Sequence, residues 1–267
     1  MLVRDSVIVV TGAGRGIGAA LARRFAAESA AGIVVSDIDG EAAQAVATEL
    51  AAVTRAVAVR ADVSVAKEVA GLVQTAEREF GPVDLFCSNA GVSTGCGVED
   101  ATEGQWALAW SVNVMAHVHA ARAVLPSMLA RGRGYLLNTV SAAGLLMTTG
   151  DAPYTATKHA AIGFAEWLSV NYGDRGVGVS ALCPMGVRTE MLMSGIERGS
   201  KAALAVAAAG PILTPEEVAE ATMDGLAEER FLILPHPEVA EFEAGKVADR
   251  DRWLEGMRRS VASEPVE

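Results

Sequence analysis

Short runs of Val, Ile and Leu alternate along this chain with longer, alanine-rich segments whose apolar residues recur at helical spacing. The runs cover residues 7–10, 33–36, 56–60, 83–87, 135–139, 177–182 and 231–234. The helical segments cover 17–30, 41–53, 64–80, 102–130, 153–172 and 215–229. Apolar residues at consecutive strand positions mean burial on both faces of a sheet. Seven such strands separated by helices predict an α/β fold, a doubly wound parallel sheet with helices on both faces. At 267 residues and 51% hydrophobic content the chain suits a single domain over 1–267, with enough core to need no metal or disulfide support. Ligands of such sheets bind outside the carboxyl ends of the strands, so chemistry is sought there.

Several function classes fall away on composition. A net charge of −11 argues against nucleic acid as the main partner, because such affinity rests on clustered Lys and Arg. No window approaches 18 apolar residues, so no membrane span is expected. Cys87, Cys96 and Cys183 are odd in number, widely spaced and without a C-x-x-C pair, which fits a reducing, cytoplasmic setting. His117, His119, His159 and His236 have no companion ligands at metal spacing, and no metal is expected.

Thr11-Gly12-Ala13-Gly14-Arg15-Gly16-Ile17-Gly18 joins the first strand to the first helix. Glycines there permit a tight turn and close approach of a pyrophosphate to the helix N-terminus, whose free N–H groups favour anions. Asp37 ends the second strand about 20 residues on, the spacing of a dinucleotide-binding βαβ unit. Its carboxylate suits a ribose diol and repels a 2′-phosphate, which selects NAD. Arg15 argues for NADP as the alternative, but an Arg on a turn can swing into solvent.

Tyr154 and Lys158 are four apart at the start of a helix and share a face. A neighbouring ammonium, with the positive charge of a bound oxidised nicotinamide, is expected to lower the Tyr154 pKa from about 10, making it a general acid/base for an alcohol–carbonyl pair. Ser141, just past the fifth strand, can hydrogen-bond the substrate oxygen.

Taken in order, these motifs resemble the short-chain dehydrogenases/reductases, from residue 6 to about residue 234. The glycine turn matches T-G-x-x-x-G-x-G, including Gly12, Gly16, Ile17 and Gly18, and Ser88-Asn89-Ala90-Gly91 matches N-N-A-G with Ser88 in the first place. The resemblance implies a Rossmann-type fold, adenine contacts from Asp62 and Val63, and a tetrad of Asn113, Ser141, Tyr154 and Lys158. In it Asn113 kinks its helix, so that its carbonyl holds a water in a relay to Lys158. Pro184-Met185-Gly186-Val187-Arg188-Thr189 looks like the segment holding the nicotinamide carboxamide through Val187 and Thr189, but Met185 takes the usual Gly position.

The resemblance also implies a mobile lid over residues 190–213. Leu192 and Met193 from that lid, with Ser141, Ala143, Leu145, Tyr154 and Met185, are the expected pocket, which is apolar and suited to a hydrophobic ketone or secondary alcohol. The expected activity is NAD-dependent interconversion of the two, in a homodimer or homotetramer with a helical tail over 235–267. The alternatives are an NADP-preferring carbonyl reductase and an NAD-binding sensor without turnover. A hydrolase elbow, formally present as Gly91-Val92-Ser93-Thr94-Gly95, must lead straight into a helix, but Cys96 and Gly97 follow.

Overall fold

The computed structural model describes residues 1–262. Its strands are β1 (Val7–Thr11), β2 (Gly32–Asp37), β3 (Ala56–Arg60), β4 (Leu85–Ser88), β5 (Gly134–Thr139), β6 (Val177–Leu182) and β7 (Leu232–Ile233). They form one parallel sheet in the order β3-β2-β1-β4-β5-β6-β7. The helices are α1 (Gly16–Ala27), α2 (Gly40–Leu50), α3 (Ala66–Glu79), α4 (Glu103–Trp110), α5 (Ala116–Arg131) and α6 (Ala152–Tyr172), then α7 (Glu190–Glu197), α8 (Lys201–Ala209), α9 (Pro215–Ala227), α10 (Glu238–Ala248) and α11 (Arg250–Ala262).

The continuous apolar runs have the cause anticipated for them. Within β1, Val7 and Val9 pack under α3, α5 and α6, whereas Ile8 and Val10 pack under α1, α2 and α9. Every residue of β1 is buried, and each fully enclosed Leu or Phe of these two layers contributes roughly 1.5–3 kcal/mol. Winding proceeds outward through β2 and β3, then returns to place β4 on the other side of β1. The crevice at this reversal opens above the carboxyl ends of β1 and β4.

Local signals set several boundaries. Thr102 with Gln105 and Thr214 with Glu217 form the capping boxes that start α4 and α9. The segment read as one helix over 102–130 is instead broken by a π-helical turn, Ser111–Met115, centred on Asn113. The last strand is shorter than its apolar run, because only Leu232 and Ile233 pair with β6 at the sheet edge. The tail is two helices, α10 and α11, and residues 263–267 of the expected tail lie outside the described residues.

Candidate active site

At the end of β1, Gly12 adopts φ +62°, and a Cβ there would sit 2.8 Å from Ala90 Cα. Asn89 ties three strand ends together: its Nδ2 donates to the carbonyls of Thr11 (3.0 Å) and Gly12 (3.2 Å), and its Oδ1 accepts from Thr139 (3.2 Å). Helix α1 starts at Gly16 without a side-chain cap and with no acidic residue in its first turn. Its first N–H groups and positive dipole end are thus left for an anion. Buried Asp37 accepts from Gly14 N (2.9 Å) and Asp39 N (3.0 Å), one bond per oxygen. A carboxylate has about four acceptor sites, so room for a ribose diol is left over. This cradle fits a dinucleotide.

Arg15 does not swing free. Its guanidinium donates to Asp39 (2.8 Å) and to Glu190 (2.5 Å) at the start of α7, so the single charge it could offer a phosphate is already met by two carboxylates. Further along the edge, Asp62 Oδ1 accepts from Ser64 N and Oγ at 2.9 and 2.7 Å, and Val63 is buried.

Asn113, Ser141, Tyr154 and Lys158 converge above β4, β5 and β6. Lys158 is buried and donates to the Thr139 carbonyl at 3.1 Å, and its Nζ lies 5.4 Å from the centre of the Tyr154 ring. A Cβ on Gly91 would meet Lys158 Nζ at 3.6 Å and Asn113 Oδ1 at 3.4 Å. The Asn113 side chain clamps Val92 by accepting from its N–H and donating to its carbonyl, both at 2.9 Å, and donates to Thr157 (3.1 Å). One turn on, the buried ring of His117 faces Asn138 Oδ1 at 2.8 Å, and burial holds its pKa down at about 4.

The expected fall in the Tyr154 pKa is not what the protein alone produces. Desolvation raises the phenol above its usual value, and hydrogen bonding from Ser141 offsets this only in part. Burial also lowers Lys158 to about 8, and its ammonium is turned to the Thr139 carbonyl. Proximity of the pair is legible in sequence, but the desolvation that outweighs it is not.

Ser141 has φ +149° and ψ +156°, a region that costs a residue with a Cβ about 1–3 kcal/mol. Its Oγ accepts from Ala143 N (3.1 Å), and Ala143 itself is buried beneath it. We expect Ser141→Gly to raise stability by about 1 kcal/mol, or about 2–4 °C in Tm, while turnover falls about 100-fold. Calorimetric melting beside an activity assay checks the opposed signs.

Past β6, Pro184 accepts from Ala142 N at 2.8 Å. Met185 N donates to His236 Nδ1 (3.1 Å), which leaves His236 Nε2 to donate to the carbonyls of Gly186 (3.1 Å) and Pro211 (3.2 Å). The segment expected as a lid is α7 and α8, closed at its base by a bridge between Val187 and Leu213. Thr189 caps α7, accepting from Leu192 N at 3.4 Å. Leu145, Met185, Leu192 and Met193 are half-buried. Trp253 of the tail lies over Lys246 (5.0 Å), whose Nζ donates to the carbonyls of Leu145 and Leu146 at 2.5 and 2.8 Å.

Three residues that shape this site escape motif reading: His236, Lys246 and Asp151. Only Asp151 carries a local signal, as an N-cap type two residues before a proline. Ser93 of the formal hydrolase elbow donates to Asp151 at 2.7 Å, and the next helix begins only at Glu103. Among the described residues there is no cluster of three or more His, Cys, Asp or Glu able to hold a metal ion, and no helix is long and apolar enough to cross a membrane.

The family profile described as short chain dehydrogenase matches residues 6–198. A 1-deoxy-11-beta-hydroxypentalenate dehydrogenase of Streptomyces exfoliatus is 36% identical over 238 residues, 87% of this chain and 84% of the relative. A meso-2,3-butanediol dehydrogenase of Serratia marcescens is 34% identical, over 70% of this chain and 73% of its own. A solved short chain dehydrogenase/reductase from Burkholderia phymatum, in complex with NAD, superposes with a TM-score of 0.85 at 32% identity, covering 94% of this chain and 96% of that one.

Proposed function

Because the chain belongs to the short-chain dehydrogenase/reductase family, we propose that it is an NAD-dependent oxidoreductase interconverting an apolar secondary alcohol and its ketone. The observation that carries this reading is the meeting of Ser141, Tyr154 and Lys158 beside the glycine turn, at the crevice where the strand order reverses. The glycine turn and the α1 N-terminus would hold the diphosphate, Asp37 the adenosine ribose, Asp62 and Val63 the adenine, and Val187 and Thr189 the carboxamide. Bound there, NAD would supply the hydride acceptor and a positive charge.

The chain's own residues do the rest. Ser141 holds the substrate oxygen by a hydrogen bond, and its constrained backbone fixes the direction of that bond. Tyr154 takes the hydroxyl proton during oxidation and returns it during reduction. Lys158 favours the phenolate by its charge, and Asn113 fixes the loop after β4 through Val92. Half-buried Leu145, Met185, Leu192 and Met193 supply an apolar wall, with α7 and α8 as its lid. Exposed Trp110, Trp167 and Val170 on α4 and α6 would pair copies into a dimer or tetramer, and three free cysteines suit a reducing cytoplasm.

A matched NAD and NADP assay over a panel of secondary alcohols and ketones tests the activity. Absence of calorimetric binding by either cofactor overturns it. Asp37→Asn should narrow the preference for NAD over NADP by about 10–100-fold, because a like-charge contact with a 2′-phosphate costs several kcal/mol. Arg15 stays engaged by Asp39 and Glu190, so the change is expected mainly as better NADP use. Steady-state kcat/KM with each cofactor measures it.

A further inference from the structure

Asp151 is 1% exposed, and among the described residues no ion pair reaches it. Leaving a lone carboxylate out of water costs several kcal/mol unless other groups compensate. Five donors do so here. Oδ2 accepts from Ser93 Oγ (2.7 Å), Thr94 N (2.8 Å) and Gly95 N (2.8 Å), and Oδ1 from Thr94 Oγ1 (2.8 Å) and Tyr154 N (3.0 Å). Hydrogen bonds to a charged acceptor are worth about 1.5–3 kcal/mol each, and the N-terminus of α6 adds its dipole. Capping a helix takes one acceptor and no enclosing loop. The loop formally matching a hydrolase elbow is thus a cradle built around an ionised carboxylate, and Ala152 N fastens it further by donating to the Cys96 carbonyl (3.0 Å).

We propose that Asp151 is a positioning residue that locks the loop after β4 onto the first turn of α6 and sets the electrostatic field at the Tyr154 phenol. The inference rests on the reading of Tyr154 as general acid/base. Four groups act on Tyr154: Ser141 past the end of β5, Cys183 past the end of β6, Lys158 one turn on in α6 with its Nζ 5.4 Å from the ring centre, and Asp151 at the helix cap, whose buried carboxylate accepts from the Tyr154 N–H at 3.0 Å. Burial pushes Cys183 up to about 12, so it is neutral at working pH, and Asp151 is the one fixed negative charge of the set. Its charge raises the phenol pKa, opposing the phenolate that Lys158 favours. Asp151 therefore keeps Tyr154 protonated to higher pH than the lysine alone would.

Ultraviolet titration of tyrosinate in the full-length protein tests this without substrate or cofactor. The chain has three tyrosines, so subtracting the Tyr154→Phe curve isolates the residue. Asp151→Asn removes the charge and should move the midpoint down by about half a pH unit or more. Ser93→Ala keeps the charge but removes one donor that disperses it, and should move the midpoint up. A helix cap with no electrostatic part would lower Tm and leave both midpoints in place. A folded Asp151→Asn protein with an unmoved midpoint overturns the proposal. Should Asp151→Asn not fold, an unmoved or lowered midpoint in Ser93→Ala overturns it equally. Opposite shifts in a protein that turns over no secondary alcohol with NAD would support the role of Asp151 and overturn the proposed activity.

Discussion

Tyr154→Phe is expected to lower kcat for alcohol oxidation by about 10²–10⁴-fold while NAD affinity by calorimetry changes by no more than about twofold, since removing a general acid/base costs that much in the chemical step. The substitution deletes one oxygen and keeps the ring, so the packing of α6 and the seat of Lys158 on the Thr139 carbonyl stay as they are. A protein that merely senses NAD would show no change in its cofactor response. The direction of the pH effect is also set. Because burial raises the phenol pKa, oxidation in the wild type should climb with pH as Tyr154 loses its proton, and this rise should vanish from the residual rate of the variant. Retention of substantial turnover with an unchanged pH profile would remove Tyr154 from the chemistry.

Gly18→Ala should produce the largest loss of stability among single-methyl changes in the cofactor cradle. A Cβ at Gly18 would lie 2.2 Å from the Gly12 carbonyl oxygen and 2.5 Å from Asn89 Nδ2. Neither neighbour can yield cheaply. Gly12 is backbone in a left-handed turn, and Asn89 is the knot between the ends of β1, β4 and β5. We expect about 3 kcal/mol of destabilisation, roughly 6–12 °C in Tm for a domain of this size, and at least about tenfold weaker NAD binding. Thermal melts and calorimetry on the same preparation read both. A fully stable Gly18→Ala protein would mean that the turn tolerates a different backbone path.

Much of this was legible because it is local. Residues of β1 announce burial on both faces by being apolar at every position, and Thr102 and Thr214 announce helix starts by pairing with Gln105 and Glu217 three residues on. The π-helical turn at Asn113 was not legible from helical periodicity; only the family resemblance implied a kink there, and the Val92 that the Asn113 side chain clamps lies 21 residues earlier in the chain. Arg15 has the same lesson. Its residue type alone suggested a mobile base, but Asp39 and Glu190, the latter 175 residues away, hold it in place.

By itself the sequence determined the strand and helix alternation, the parallel sheet, the glycine turn with Asp37 after it, and the order of Asn113, Ser141, Tyr154 and Lys158. Period, capping and turn chemistry act over a few residues and are written in residue type. Tertiary structure alone decided that burial raises the Tyr154 phenol, that Ser93 serves Asp151, and that His236 braces Met185 and Pro211. Those outcomes depend on how much water is excluded and on which distant groups the winding of the chain brings within hydrogen-bond reach, and neither is a property of any short stretch of sequence.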